Sequence, residues 1–170
     1  SETTVEQTGF NPKGIPLAAR TREAEQYAET IEQAADILRR NNNGLSSTEW
    51  ILADIRKNEI ALLELGTHRS KLYRSSQKEW IAGAEGFYWS NNNTKDRDIR
   101  LETVPSAIAR PSSIAAFRTD PRDAIWLRMY DQHKGQIDGE FAKKLLTTPE
   151  IVLSTSVDAK YTTSDLAARL

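Results

Sequence analysis

Two short stretches carry side chains suited to chemistry. Asn91-Asn92-Asn93 follows the aromatic run Phe87-Tyr88-Trp89-Ser90. An asparagine leaving a packed strand can present its amide to a developing oxyanion, and a donor fixed in advance stabilises that charge in acyl transfer. The triplet also suits a polar turn, because asparagine tolerates left-handed backbone. Arg122 is the second candidate. It follows Asp120-Pro121, an acidic N-cap and a proline at the first helical position. The positive end of a helix dipole disfavours a cation there. Such an arginine is either a solvated surface residue or one that holds a carboxylate.

Other chemistries are poorly served. The two histidines, His68 and His133, are far apart and no HExxH spacing exists, so no metal site is expected. His68 reads as a loop residue and His133 as a helix-face residue near a C-terminus. GxxxxGK[ST] and GxGxxG are both absent, which leaves a nucleotide cradle unsupported and no cofactor expected. A Ser-His-Asp triad has no GxSxG elbow to recommend it. The sequence contains no cysteine. That removes disulfides, thiolate metal sites and a cysteine nucleophile from this chain, and it leaves the redox compartment open.

Charge and hydropathy exclude further classes. Twenty-three basic side chains against 24 acidic ones give a net charge of −1, which offers no general attraction to nucleic acid or an anionic membrane. No apolar run approaches the roughly 18 residues of a membrane span. At 170 residues the expectation is a single globular portion, residues 1–170.

Several elements must position the candidates. Gly9, Pro12, Gly14 and Pro16 punctuate an extended start. Ala24, Tyr27, Ala28, Ile31, Ala34, Ala35 and Leu38 recur at helical spacing, which predicts one helix over about residues 19–40 with Tyr27, Ile31 and Leu38 buried. Asn41-Asn42-Asn43-Gly44 stops it, with Gly44 or an asparagine left-handed. Residues 50–55 and 59–65 predict a hairpin turning at Arg56-Lys57-Asn58. Both runs are nearly continuous in apolar residues, so both need cover on two faces. At least one hairpin edge is expected to be extended by another chain or segment. Further strands are expected near 70–74 and 87–90. Residues 91–119 read as a long loop, with a helical turn near Ile114–Phe117. A helix opens at Asp120-Pro121 with Trp126, Met129, Tyr130 and His133 as its apolar stripe, closed by Gly135. Asp138 caps another, with Phe141, Ala142 and Leu145 inward. A strand near Val157–Tyr161 and a helix from Ser164 complete the reading.

The order of certain blocks resembles a known family. Glu2-Thr3-Thr4, Asn42-Asn43-Gly44, Trp50-Ile51-Leu52-Ala53-Asp54, Asn58-Glu59-Ile60-Ala61 and Glu64-Leu65-Gly66 resemble the acyltransferase and penicillin acylase branch of the N-terminal-nucleophile hydrolases. Pro121-Arg122, Trp126-Leu127, Gly135-Gln136-Ile137-Asp138 and Ser156-Val157-Asp158-Ala159-Lys160 are similar to later blocks of its phospholipase B-like members. The resemblance covers most of the chain.

That resemblance implies an α/β (α+β) fold, part of a four-layer αββα sandwich completed by a preceding segment or second chain. It implies a hydrolase or acyltransferase acting on a linear amide or ester bond. The family nucleophile is the first residue of the mature catalytic chain, usually cysteine, with its own α-amino group as base. Asn91 or Asn92 would match the oxyanion asparagine, and Arg122 the arginine near the nucleophile. Ser1 has the chemistry of an N-terminal nucleophile, but the resemblance places Glu2-Thr3-Thr4 well inside the catalytic domain. The nucleophile is therefore expected from a partner chain or preceding segment. A non-catalytic binding or structural module on the same fold is the alternative, because fold does not secure activity.

Overall fold

The apolar runs become antiparallel strands. In the computed structural model, which describes residues 2–5, 9–91, 93–103 and 121–149, β1 is Glu2–Val5, β2 Ser47–Asp54, β3 Glu59–Leu65 and β4 Ser70–Arg74. They form one sheet in the order β1-β2-β3-β4. Asp54 builds the β2–β3 turn, its Oδ1 accepting the amides of Arg56 at 3.0 Å and Lys57 at 3.3 Å. Asn58 completes the turn with φ of +49°, a conformation its short polar side chain permits. The hairpin is extended on both sides within this chain, by β1 along β2 and by β4 along β3.

Alternation along a strand sends neighbours to opposite faces. Trp50, Leu52, Leu63 and Leu72 pack against Ala24, Ala35 and Leu38 of the helices. Ile51, Ile60, Leu62 and Tyr73 pack against Trp80 and Tyr88. The continuous apolar character of β2 and β3 comes from this two-sided cover.

The predicted single helix is two. Helix α1 is Leu17–Tyr27 and α2 is Ile31–Arg39. Ala28 is extended, and Thr30 caps α2 by accepting the Gln33 amide at 3.2 Å. Gln33 reaches back to the Glu29 amide at 2.7 Å. This reciprocal cap starts a new helix more favourably than the old one continues. The break shifts the register. Ile31 and Leu38 are buried as expected, but Tyr27 is 72% exposed. Ile31→Ala should cost about 2–5 kcal/mol in urea unfolding, whereas Tyr27→Ala should stay within about 0.5 kcal/mol. Equal losses at both positions would mean that α1 and α2 pack in another register.

The helical layer is tied to the sheet by polar clamps. Buried Arg20 donates to the carbonyls of Ile15 and Leu38 and, at 2.7 Å, to Asn42 Oδ1. Asn42 Nδ2 donates onward to the Gly66 carbonyl at 2.7 Å. Both left-handed options at the helix stop are used, with φ of +47° at Asn41 and +72° at Gly44. Gly44 is also needed for space, since a Cβ there would lie 2.5 Å from Thr67 Cγ2. Arg74 forks onto Glu59 at 2.8 and 2.9 Å and also pairs with Glu32 of α2. The Arg74 fork holds the Glu59 carboxyl at about 2, against opposition from burial.

Two further regions depart from expectation. The strand near 87–90 is only Phe87–Tyr88 (β6), paired with Gly83–Ala84 (β5) in its own small sheet. Trp89 and Ser90 leave the ladder. Residues 91–119 are not all loop: α3 spans Arg97–Thr103, started by Asp96, which accepts the amides of Asp98 at 2.9 Å and Ile99 at 3.1 Å. Ile114–Phe117, Val157–Tyr161 and the segment from Ser164 lie outside the described residues.

The chain divides into two compact units, Ser1–Arg118 and Thr119–Leu170. In the second, α4 is Pro121–His133 and α5 Gly139–Leu146. Trp126, Met129 and Tyr130 are buried, as predicted. Asp138 caps α5 by accepting the Phe141 amide at 2.8 Å. Phe141 and Leu145 face inward, but Ala142 is exposed. Positions 141 and 145 share one face of an α-helix and 142 turns away from it. The described residues are a mixed α+β structure of helices and small antiparallel sheets.

Candidate functional site

Glu49 on β2 and Glu64 on β3 stand directly opposite each other on the sheet face that packs on Tyr88. Both are 0% exposed. Two carboxylates so placed repel, and burial makes each charge costly. The segment from Ser90 to Asp96, between β6 and α3, supplies the compensation. Glu49 Oε2 accepts from Ser90 Oγ at 3.0 Å and from the Asn91 amide at 3.2 Å. Its Oε1 accepts from Lys95 Nζ at 2.9 Å. Glu64 accepts the amides of Lys95 at 2.6 Å and Asp96 at 2.7 Å, one on each oxygen. From α3, Arg100 Nη1 donates to Asn93 Oδ1 at 2.6 Å and to the Thr94 carbonyl at 2.7 Å. Glu102 accepts the amides of His68 and Arg69, joining α3 to the β3–β4 turn.

The two carboxyls titrate apart. Burial works against the Glu49 charge, but the Lys95 charge and hydrogen bond, with Ser90 and the Asn91 amide, together hold its pKa below the ordinary value. Burial first, and then the Glu49 charge, push Glu64 above it; Lys95 and the two amides offset only part. Tyr73, on the same face, is raised by burial and by the Glu64 and Asp96 carboxylates. An acid raised in the folded state contributes stability that is full below its unfolded pKa and is lost as pH rises toward the folded one. Wild-type protein should therefore lose stability between about pH 5 and about pH 8 through Glu64. Glu64→Gln cannot ionise, so urea unfolding across that window should give a flatter profile. The same slope in both proteins would assign the pH dependence elsewhere.

Asn91 is buried at the start of this strap, three residues beyond the end of β6. Its backbone is held by Glu49, which is itself locked to Lys95. Asn92 lies outside the described residues. Arg122 is in the second unit, buried in the first turn of α4 beside buried Asp123. His133 sits at the end of α4, its Nδ1 3.1 Å from the Met129 carbonyl and its ring against Phe141. His68 is in the turn between β3 and β4. Among the described residues, no group of histidine, aspartate or glutamate side chains is set to hold a metal ion, and no helix is long and apolar enough to cross a membrane.

No protein-family model matches this chain, and no curated protein matches it.

Sequence reasoning overlooked Glu49, Glu64, Lys95 and Arg20. A signal for one of them was present. Glu64 interrupts Ala61-Leu62-Leu63 and Leu65, a run that needs cover on both faces, and a charge inside such a run requires a partner. What remained invisible is the partners' identity, because the Lys95 and Asp96 amides that Glu64 accepts lie 31 and 32 residues away.

Proposed function

We propose that this chain is the carboxy-terminal portion of an N-terminal-nucleophile hydrolase or acyltransferase acting on a linear amide or ester bond. A preceding segment or second chain supplies the nucleophile. In this reading the four-stranded sheet is one inner layer of an αββα sandwich, and α1 and α2 belong to an outer layer. Asn91, with Asn92 beside it, is the oxyanion donor. Arg122 holds a carboxylate or polarises the surroundings of the nucleophile.

One observation carries the reading. Asn91 follows a packed aromatic strand and is buried, with its backbone held by a buried, lysine-paired glutamate. A donor that stabilises a tetrahedral oxyanion must be in place before reaction, and such anchoring provides that. The ordered blocks from Glu2-Thr3-Thr4 to Ser156-Val157-Asp158 add support at the level of resemblance.

A non-catalytic module remains the competing reading, and one feature favours it. The Glu49–Glu64–Lys95 network closes upon its own strap, as a purely structural clamp also would. Covalent trapping separates the two. The product expressed with the sequence upstream of Ser1 is treated with an electrophile selective for N-terminal nucleophiles, then examined by intact mass and peptide mapping. The expected result is one label on the first residue of a segment outside residues 1–170, together with turnover of a member of a chromogenic ester and anilide panel. Labelling at Ser1, or neither label nor turnover, would overturn the proposal.

A further inference from the structure

The described residues of the strap, 89–91 and 93–96, lie in neither strand nor helix. Their backbone amides cannot rely on a regular ladder, yet buried N–H groups need acceptors. Three of them use carboxylates: the Asn91 amide on Glu49, and the Lys95 and Asp96 amides on Glu64. The acceptors come from opposed positions on the two central strands. They thus reach the strap at both ends, while Arg100 holds its middle through Asn93 and Thr94.

For stability alone this is a poor arrangement. Apolar side chains of similar volume are often as stabilising as a buried ion pair, or more so. Carboxylates offer placement instead, because each acceptor oxygen determines where a backbone amide can stand. Glu49 acts on Asn91 most directly. Its Oε2 takes both the Asn91 amide and the Ser90 hydroxyl, and Lys95 fixes its other oxygen.

Resting on the reading of Asn91 as oxyanion donor, we infer that Glu49 and Glu64 are positioning residues: they grip the strap's backbone at both ends and hold Asn91 where its side-chain amide meets the reacting carbonyl oxygen. Neither touches substrate. A displacement of about 1 Å at such a donor can cost on the order of 10²-fold in rate.

Glu49→Gln tests this in the full-length product, since one of its two acceptor oxygens becomes an amide NH2 and the Asn91 amide, the Ser90 hydroxyl and the Lys95 ammonium must share the oxygen that remains. Amide hydrogen exchange reads the grip without reference to activity. The Asn91 amide should exchange at least about tenfold faster, with Leu62 and Leu63 unchanged. Equal protection at Asn91 would overturn the inference. Kinetics read the consequence. Glu49→Gln should lower kcat by about tenfold to a hundredfold with KM little changed. Adding Asn91→Ala should lower kcat no further than Asn91→Ala alone, because the glutamate acts through that residue. Losses that multiply would overturn positioning through Asn91. Full turnover in Asn91→Ala, alongside a loosened amide in Glu49→Gln, would instead remove the oxyanion reading and leave the grip. If Glu49→Gln does not fold, Glu64→Gln makes the same exchange test at the Lys95 and Asp96 amides, with unchanged protection again the overturning result.

Discussion

Asn91→Ala should reduce turnover by about 10²–10³-fold, the usual consequence of removing one oxyanion donor. The substitution deletes the side-chain amide but keeps the backbone N–H that donates to Glu49. The strap therefore retains its anchor, and the stability cost should stay near that of one buried polar group, about 1–3 kcal/mol. That separation gives the measurement its force. The loss should appear in kcat at saturating substrate, since the donor acts on charge that develops only in the transition state. A rise in KM at unchanged kcat would mean that Asn91 binds ground-state substrate instead. Arg122→Lys in the second unit is the companion variant. Lysine keeps the charge but not the planar fork, so activity should fall there too if the arginine holds a carboxylate. Wild-type turnover in either variant would remove the role proposed for that residue.

Lys95→Met should destabilise the protein by about 3–5 kcal/mol in urea unfolding, because it takes a cationic partner from a wholly buried carboxylate. Glu49 is wholly buried, and the Lys95 ammonium lies 2.9 Å from its Oε1. The Glu49 pKa is depressed in the folded state, so its contribution is present above the ordinary value of 4.5 and is lost as pH falls below it. The gap between wild type and Lys95→Met should therefore be widest near neutral pH and narrow in acid, where Glu49 takes up a proton in the variant. Glu49→Gln added to Lys95→Met should recover part of the loss. With the Lys95 ammonium removed, the one oxygen of glutamine no longer has to serve it and can accept the Asn91 amide without a buried charge. A loss under about 1 kcal/mol in the single variant would show that Glu49 is neutral or solvated.

Much of the secondary structure was legible because its causes are local. Asp54, Asn58 and the apolar runs around them define the hairpin turn. Pro121 starts α4, and Asp138 caps α5. The break between α1 and α2 was also written locally, in Thr30 and Gln33, but the helical spacing that continues across it masked the cap. Tyr27 was misplaced for that reason. Ala142 was misplaced by a face assignment one residue too generous. Helix α3 was overlooked because Asp96 lies among polar residues that read equally well as loop.

By itself, the sequence determined the hairpin, the two-sided cover that its strands require, the helices at 121–133 and 139–146, and the absence of a cysteine nucleophile within these residues. It also singled out Asn91 from its place after an aromatic run. Tertiary structure decided what surrounds that residue. Nothing in the local order of residues pairs Glu49 with Lys95, sets Glu49 opposite Glu64, or gives Glu64 the amides of Lys95 and Asp96. The strand pairing joins Glu49 to Glu64, and the contacts of the strap with these two glutamates span 31 to 46 residues. They depend on strand register and on a chain that returns across the sheet, while propensity and periodicity act only over a turn or a strand. A buried charge in an apolar run announces that a partner exists, and only the fold chooses which one.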